Sequence, residues 1–281
     1  VAAFQAKIRS LQDPGRFDYG GAAGGMIDIF GYPFALGRLF DQVEEDLGQH
    51  DRPREIFWAV GCGMLLRREA VLALGGFDEA YWMHMEEIDL CWRLQLAGWT
   101  VRSVPWSVVL HEGGHTLKTE SFRKVYLNHR NSLVLLLKCW SLPTLLWLFP
   151  TRCALEALTL GYGIVRRDWR HPLAALLAIL WVAAHLPSIA RRRFPVQGRR
   201  RVSDAAVMDR MHRGSIVFER FVLRRKRLPE RTEDDTPAVG PALAASKFMG
   251  LNKNEMTSAI GLAMCGAPLS FLNFGTDAHY L

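Results

Sequence analysis

Between Phe77 and Arg93 the chain places three carboxylates, Glu86, Glu87 and Asp89, within four positions, behind the aromatic pair Tyr81-Trp82 and ahead of an amphipathic stretch that begins Ile88-Asp89-Leu90-Cys91-Trp92. That pattern predicts a helix with an acidic first turn, because carboxylates favour the positive end of a helix. It also concentrates like charge. Carboxylates this close raise one another's pKa, which suits a general base or a cation site better than a salt-bridged surface. A solvated helix start is the plain alternative, and the cluster alone leaves both open.

The flanking segments add order. Upstream runs Phe57-Trp58-Ala59-Val60-Gly61-Cys62-Gly63-Met64-Leu65-Leu66-Arg67-Arg68, a strand-like apolar run, followed by Gly75-Gly76-Phe77-Asp78-Glu79. Downstream come Gly98-Trp99-Thr100-Val101 and a second strand-like run, Val108-Val109-Leu110, ending in His111. In this order and spacing residues 1–138 resemble the family 2 glycosyltransferases, inverting enzymes with a GT-A fold, and in particular its rhamnosyltransferase-like members. The resemblance implies an α/β chain: a partial GT-A (Rossmann-like) glycosyltransferase domain, then an α-helical membrane-associated region and a short helical tail.

Composition is compatible with that reading. At 281 residues, 49% hydrophobic and with mean hydropathy near zero, the chain can bury a sizeable core. Five scattered cysteines with no C-x-x-C pair argue against a disulfide framework or zinc ribbon and fit a reducing compartment. The net charge of +7 is uneven: residues 150–231 hold 18 Lys/Arg against 6 Asp/Glu, while residues 1–149 hold 15 against 17. The same middle region carries apolar runs, the longest from Leu173 to Ala190, bracketed by Arg166, Arg167 and Arg170 before it and by Arg191, Arg192 and Arg193 after it. At about 1.5 Å per residue that run barely crosses a hydrocarbon core of about 30 Å, and His185 and Pro187 interrupt it. A basic-flanked helix on an anionic membrane surface, a spanning helix and a buried helix all remain open; the first places the protein at the cytoplasmic face of the cell membrane, peripherally or with one or two membrane helices. Nucleic acid is not expected as a partner, because aromatic residues do not interleave with the arginines as a stacking platform requires.

Four regions are expected: residues 1–132 as the acceptor and catalytic-base half of the transferase domain, 133–228 as basic, apolar membrane-associated helices, 229–241 as an acidic, proline-bearing linker, and 242–281 as a helical tail. The tail resembles a fragment of the MmgE/PrpD family through Ala244-Ala245-Ser246-Lys247-Phe248-Met249-Gly250-Leu251, Ala259-Ile260-Gly261-Leu262-Ala263 and Asn273-Phe274-Gly275. It is too short to hold that family's active site.

Inverting sugar transfer calls for a carboxylate in hydrogen-bond reach of the acceptor hydroxyl, and for a cation or basic groups to take the charge growing on a departing diphosphate. The resemblance implies Glu87 as base, Glu86 as the residue that positions substrate or tunes it, and Asp89 as the third acidic member, orienting the helix. It assigns Trp58, Gly61, Asp78, Trp92 and Arg93 to the substrate side, Trp92 as a core or acceptor-facing residue and Arg93 as partner to a carboxylate or phosphate. Arg38 is a phosphate contact or half of a surface salt bridge. The resemblance implies that His111 helps hold a divalent cation, Mg²⁺ or Mn²⁺, imidazole being the more natural ligand for Mn²⁺; a strand-end histidine bonded to backbone is the plain alternative. The D-x-D motif of the family is absent, Glu44-Glu45-Asp46 being its nearest imitation, so the chain is expected to begin past the donor site and to be inactive as it stands. Implied substrates are a nucleotide-sugar donor and a glycan or lipid-linked acceptor of cell-surface polysaccharide synthesis.

His111-Glu112-Gly113-Gly114-His115 also spells H-E-x-x-H, but the zinc-protease arrangement needs both histidines on one helix face, and Gly-Gly between them opposes a helix by roughly 2 kcal/mol relative to alanines. Asp18-Tyr19-Gly20-Gly21-Ala22-Ala23-Gly24-Gly25 reads as a flexible loop near the acceptor side or, equally, as a plain connector. Asn128-His129-Arg130-Asn131 matches the family's N-x-R-N and is expected to cap and anchor the next helix. The competing class is a non-catalytic membrane-surface adaptor, in which the acidic cluster is structural and the basic helices bind lipid.

Overall fold

The computed structural model describes residues 1–225 apart from Asp41, residues 113–120 and Val222. His115, the linker 229–241 and the tail 242–281 lie outside the described residues. In chain order the elements are β1 (Ala3–Ser10), β2 (Gly25–Ile27), β3 (Pro33–Ala35), β4 (Arg38–Leu39), β5 (Gln42–Val43), β6 (Glu55–Ile56), β7 (Met64–Leu66), α1 (Arg68–Ala73), α2 (Glu86–Leu96), β8 (Val101–His111), α3 (Phe122–Cys139), α4 (Leu142–Arg166), α5 (Arg170–Ala184), α6 (Leu186–Gly198), α7 (Asp204–Met208) and α8 (Ile216–Phe221).

The chain is mixed α/β. One sheet has the order β6-β8-β1-β7, with β1 parallel to β8 and antiparallel to β7; the other is the antiparallel meander β2-β3-β4-β5. Strand β1 is covered on both faces, so Gln5 and Lys7 within it need partners. Gln5 donates to the Gly21 carbonyl at 3.0 Å and accepts from the Val60 amide at 2.9 Å, tying the glycine loop to the strand-like run after Trp58. Lys7 and Arg9 reach Asp46 at 2.9 and 2.7 Å, so the carboxylate nearest to a D-x-D imitation is taken up by an ion-pair cluster. The β1–β8 register jumps between Ala6 and Lys7, where Pro105-Trp106-Ser107 is inserted in β8; proline cannot donate to the ladder, and the extra residues accommodate it.

Helix α2 is held by its apolar side. Trp92 is fully buried between Phe57 and Trp140, each edge-on to it with ring centroids 5.4 and 4.9 Å away. Helix α3 runs through position 132 without a break, and one core cluster joins Ile88, Leu90 and Trp92 to Leu133, Leu136, Val182, Ile189 and Val196. The described helices after 132 thus share their core with the sheet domain. The Leu173–Ala190 run is divided at His185, where α5 and α6 meet at 74°, and no single helix among the described residues is long and apolar enough to cross a membrane. Pro187 at the second position of α6 fits the start of a helix and not its interior.

Helix α5 buries its small side and exposes its large one. Ala174, Ala175, Ala178 and Val182 face inward, while Leu173, Leu176, Leu177 and Leu180 face solvent. The arginines of α6 and of the residues just after it divide as well. Arg193 donates to the Leu137 carbonyl at 2.6 Å, Arg200 to that of Cys139, and Gln197 to that of Lys138 at 2.8 Å, satisfying the open carbonyls at the end of α3. Arg191, Arg199 and Arg201 stay exposed.

Candidate functional site

The acidic head of α2 hangs on a strained loop. Trp82, His84 and Met85 have φ of 60, 66 and 72°, left-handed values that side chains with a Cβ resist at a cost of about 1–3 kcal/mol each. Asn131 of α3 offsets that cost. Its amide nitrogen donates to the carbonyls of His84 (2.7 Å), Met83 (2.9 Å) and Tyr81 (3.2 Å), two hydrogens shared among three acceptors, while its oxygen accepts from Arg130 Nε at 2.8 Å. Arg130 adds a bond to the Tyr81 carbonyl at 2.9 Å. The N-x-R-N segment therefore sits within α3 and clamps the loop before α2, and α3 is capped by Ser121, which accepts from the Lys124 amide at 3.3 Å. This corrects the capping role expected of that motif.

The clamp delivers Glu86 and Glu87 side by side. Each has an oxygen, Oε2, shut off from solvent and without a hydrogen-bond partner. Burial raises the Glu87 pKa to about 8, with the neighbouring Glu86 charge adding to it, and burial raises Glu86 as well. Asp89, one turn on, has the opposite surroundings. Its carboxylate meets Lys138 Nζ at 2.8 Å and Arg93 Nε at 2.7 Å, and the Tyr81 hydroxyl donates to it at 3.1 Å. Asp89 is thereby occupied in locking α2 to α3. Arg93 also donates to the Leu74 and Gly76 carbonyls at 3.0 and 2.7 Å, and Asp78 pairs with Lys138 and caps the Ala80 amide at 3.1 Å. These groups frame a cleft of about 400 Å³ on the flank of α2.

A second group of polar side chains lies on β8 and the glycine loop. His111 Nδ1 lies 2.9 Å from Asp18 Oδ1, which also accepts from the Gly20 amide at 2.7 Å. A Cβ on Gly20 would come within 3.6 Å of the His111 ring, and Gly21, at φ +92°, packs so closely on Val60 that a side chain there has no room. Cys62 Sγ is 3.9 Å from the Gly20 carbonyl; burial pushes its thiol up to about 12, with the charges of both Asp18 and Glu87 contributing. Arg38 stacks its guanidinium 4.2 Å over the Tyr19 ring, with Lys124 Nζ 5.5 Å from the same ring. Burial, with the Lys124 charge adding to it, lowers the His84 pKa to about 4, so this imidazole is neutral at pH 7.

Of the other residues singled out by sequence, Trp58 is buried and donates from its indole to the Met26 carbonyl at 2.8 Å, and Trp92 is core. Gly61 is exposed at the start of a 3₁₀ turn, Gly61–Gly63, and a Cβ added to it would meet nothing within 4 Å. Sequence reasoning missed Asp18, Lys124 and the clamp by Asn131. The Asp-Tyr-Gly-Gly and N-x-R-N patterns drew attention to Asp18 and Asn131, and no pattern marked Lys124. For a divalent cation, Asp18 and His111 are two adjacent donors of suitable type, and no cluster of three His, Cys, Asp or Glu side chains forms a metal cage among the described residues. One carboxylate oxygen and one imidazole nitrogen suit Mn²⁺ better than the oxygen-seeking Mg²⁺, with substrate phosphates and water left to complete its shell. His111 lies on strand β8, which removes the helical face that the zinc-protease reading of H-E-x-x-H requires.

A carboxylate with a raised pKa and one buried, unpartnered oxygen can take a proton from a hydroxyl beside an anionic leaving group. Comparison with known proteins points the same way. No protein-family model matches the chain. It is 32% identical over 133 residues to an N-acetylglucosaminyl-diphospho-decaprenol L-rhamnosyltransferase of Mycobacterium tuberculosis, covering 46% of this chain and 43% of that protein. It is 37% identical over 75 residues to the rhamnosyltransferase WbbL of Escherichia coli K12, covering 27% of this chain and 28% of the relative. A pre-mycofactocin glycosyltransferase of M. tuberculosis is 35% identical over 86 residues, 29% of this chain and 18% of that protein. The matched stretch thus spans less than half the length of each of these relatives, and the chain is similar in sequence to glycosyltransferases.

Proposed function

We propose that the chain forms the acceptor and base side of an inverting, family 2 glycosyltransferase of GT-A type, moving a sugar from a nucleotide-sugar to a glycan or lipid-linked acceptor in cell-surface polysaccharide synthesis. The observation that carries this reading is Glu87: a carboxylate with one buried oxygen left unpartnered, raised in pKa, at the head of a helix held on a strained loop. In the transfer, Glu87 accepts the proton of the acceptor hydroxyl as that oxygen forms the new bond to the sugar. The bond from the sugar to the nucleotide diphosphate breaks, and the diphosphate leaves with the electron pair. Glu86 holds the acceptor and keeps the basicity of Glu87 high. A Mg²⁺ or Mn²⁺ ion at Asp18 and His111 would neutralise charge on the leaving diphosphate.

Membrane association at the cytoplasmic face belongs to the same proposal. The exposed leucines of α5, with Trp169 at its start and the exposed Arg167 and Arg170, offer an apolar face with a basic rim, as an interfacial helix on anionic lipid does. The test is transfer of labelled sugar from nucleotide-sugars in membranes supplying native acceptors, by the protein together with whatever sequence adjoins it in its gene. Incorporation that is lost in Glu87→Gln supports the reading. A folded protein inert toward every nucleotide-sugar would favour the adaptor.

A further inference from the structure

We infer that an arginine-lined cleft at the far end of α2 is a seat for the headgroup of an anionic phospholipid, separate from the site of Glu87. Ala97 and Trp99, just past α2, enclose a cleft of about 850 Å³ with α1 and residues 198–201. Ten helical residues at about 1.5 Å each set Ala97 about 15 Å along α2 from Glu87. Of the described residues that line the cleft, four are arginines and one, Glu69, is acidic. Arg200 is engaged internally, with Asp204 and the Cys139 carbonyl. Arg67 lies 5.3 Å over the Trp99 ring and forms a long ion pair, 3.6 Å, with the exposed Glu69. An exposed pair at that distance contributes little. The side chains of Arg199 and Arg201 are exposed and make no hydrogen bond or ion pair among the described residues, yet the backbone that carries them is fixed: the amides of Arg201 and Val202 both donate to the Leu96 carbonyl, at 2.7 and 3.3 Å. A cleft lined by one sign of charge draws in the opposite sign, and guanidinium forks match phosphate oxygens. Two features select a lipid over a soluble phosphate ester. The floor of the cleft is apolar, from Ala70, Leu74 and Ala97. On α6 the exposed Leu186, Ala190 and Phe194 recur every four residues and lead to Gly198 at the cleft, Phe194 being 82% exposed. An apolar track that ends at a cationic cleft matches an acyl chain with its headgroup. The site goes beyond the function proposed above and involves neither Glu87 nor the leucines of α5.

The experiment is calorimetric titration of the whole chain with dihexanoyl phosphatidylglycerol below its micellar concentration. It compares wild type, Arg67→Gln, the pair Arg199→Gln with Arg201→Gln, Phe194→Ser, and the control Arg191→Gln, an exposed arginine of α6 outside the cleft. The expected result is one equivalent of lipid bound by wild type and control, weakened about tenfold or more in the cleft arginine variants and less in Phe194→Ser, with unchanged melting temperatures. Arg199 and Arg201 are exposed, so their paired variant remains informative if Arg67→Gln unfolds. Absence of binding, or equally tight binding of dihexanoyl phosphatidylcholine, overturns the headgroup seat. Glycerol phosphate binding as tightly as the lipid overturns it in favour of a soluble phosphate ester. Equal weakening in Arg191→Gln overturns it in favour of a diffuse positive field. Leu173→Glu with Leu180→Glu is expected to leave the titration unaltered, because it changes the α5 face and not the cleft. Vesicle flotation that depends on α5 without binding of the soluble lipid therefore keeps the membrane face and loses the seat. Because binding is read without turnover, a protein inert in sugar transfer that still loses lipid in the cleft variants keeps the seat and loses the enzymatic reading.

Discussion

Asn131 donates from its side-chain amide to the His84 carbonyl at 2.7 Å, joining the middle of α3 to the backbone two residues before Glu86. A mid-helix asparagine thus holds the entry to α2 from outside, where Met85, the residue at the cap position, makes no side-chain bond of its own.

Asn131→Ala removes the donor shared by three carbonyls of a strained loop. Leaving buried carbonyls unpaired costs about 1–3 kcal/mol, so urea unfolding is expected to show a loss of that order. Asn131→Asp is expected to be worse, because a carboxylate faces the same carbonyls with no hydrogen to give. Equal stability of all three proteins would show that the loop holds its shape without the clamp.

Glu87 ties stability to pH. Its folded pKa, about 8, lies above its unfolded value, so its favourable contribution is complete below the ordinary glutamate range and is lost as pH rises toward 8. Asp28, fully buried and raised to about 7, acts in the same direction, so the wild-type curve alone does not isolate Glu87. The difference does: the melting temperature of Glu87→Gln minus that of wild type is expected to grow between pH 5 and pH 8.5, by about 4 °C or more. A difference independent of pH contradicts the raised pKa.

Lys138 is 1% exposed and pairs with both Asp78 and Asp89. Lys138→Met removes the cation shared by both carboxylates, leaving Asp89 with Arg93 and Asp78 with the more distant Arg192, and is expected to cost about 1–3 kcal/mol in urea unfolding. Adding Asp89→Asn should recover part of the loss. Additive losses in the double variant would mean that the pair is not coupled.

The exposed face of α5 is testable without activity. Leu173→Glu with Leu180→Glu changes two solvent-facing positions, so the melting temperature should stay within about 2 °C. Co-flotation with vesicles of anionic phospholipid should fall by about tenfold or more, given the cost of placing charge in the apolar interface. Unchanged flotation would assign the leucines to another partner.

Much of the scaffold was legible because local pattern decides it. The acidic head and apolar spacing after Ile88 announced α2, the β-branched run before His111 announced the end of β8, and His185 with Pro187 marked the break between α5 and α6. The site was less legible because its geometry is long-range. Asp18 and His111 meet across 93 positions, and Arg38 reaches Lys124 only by way of the Tyr19 ring. Neither leaves a period or spacing to read. Arg93, Asp89 and Asp78 looked like site residues because charge beside an aromatic run is conspicuous in sequence, and packing uses the same charges to close a buried network.

The most direct test of the account is the rate of sugar transfer by wild type, Glu87→Asp, Glu87→Gln and Glu86→Gln, measured on proteins shown to be folded. The account predicts that Glu87→Gln loses about 10³-fold or more while Glu87→Asp keeps measurable transfer and Glu86→Gln falls less. Wild-type turnover in Glu87→Gln would remove the base from position 87 and the proposed mechanism with it.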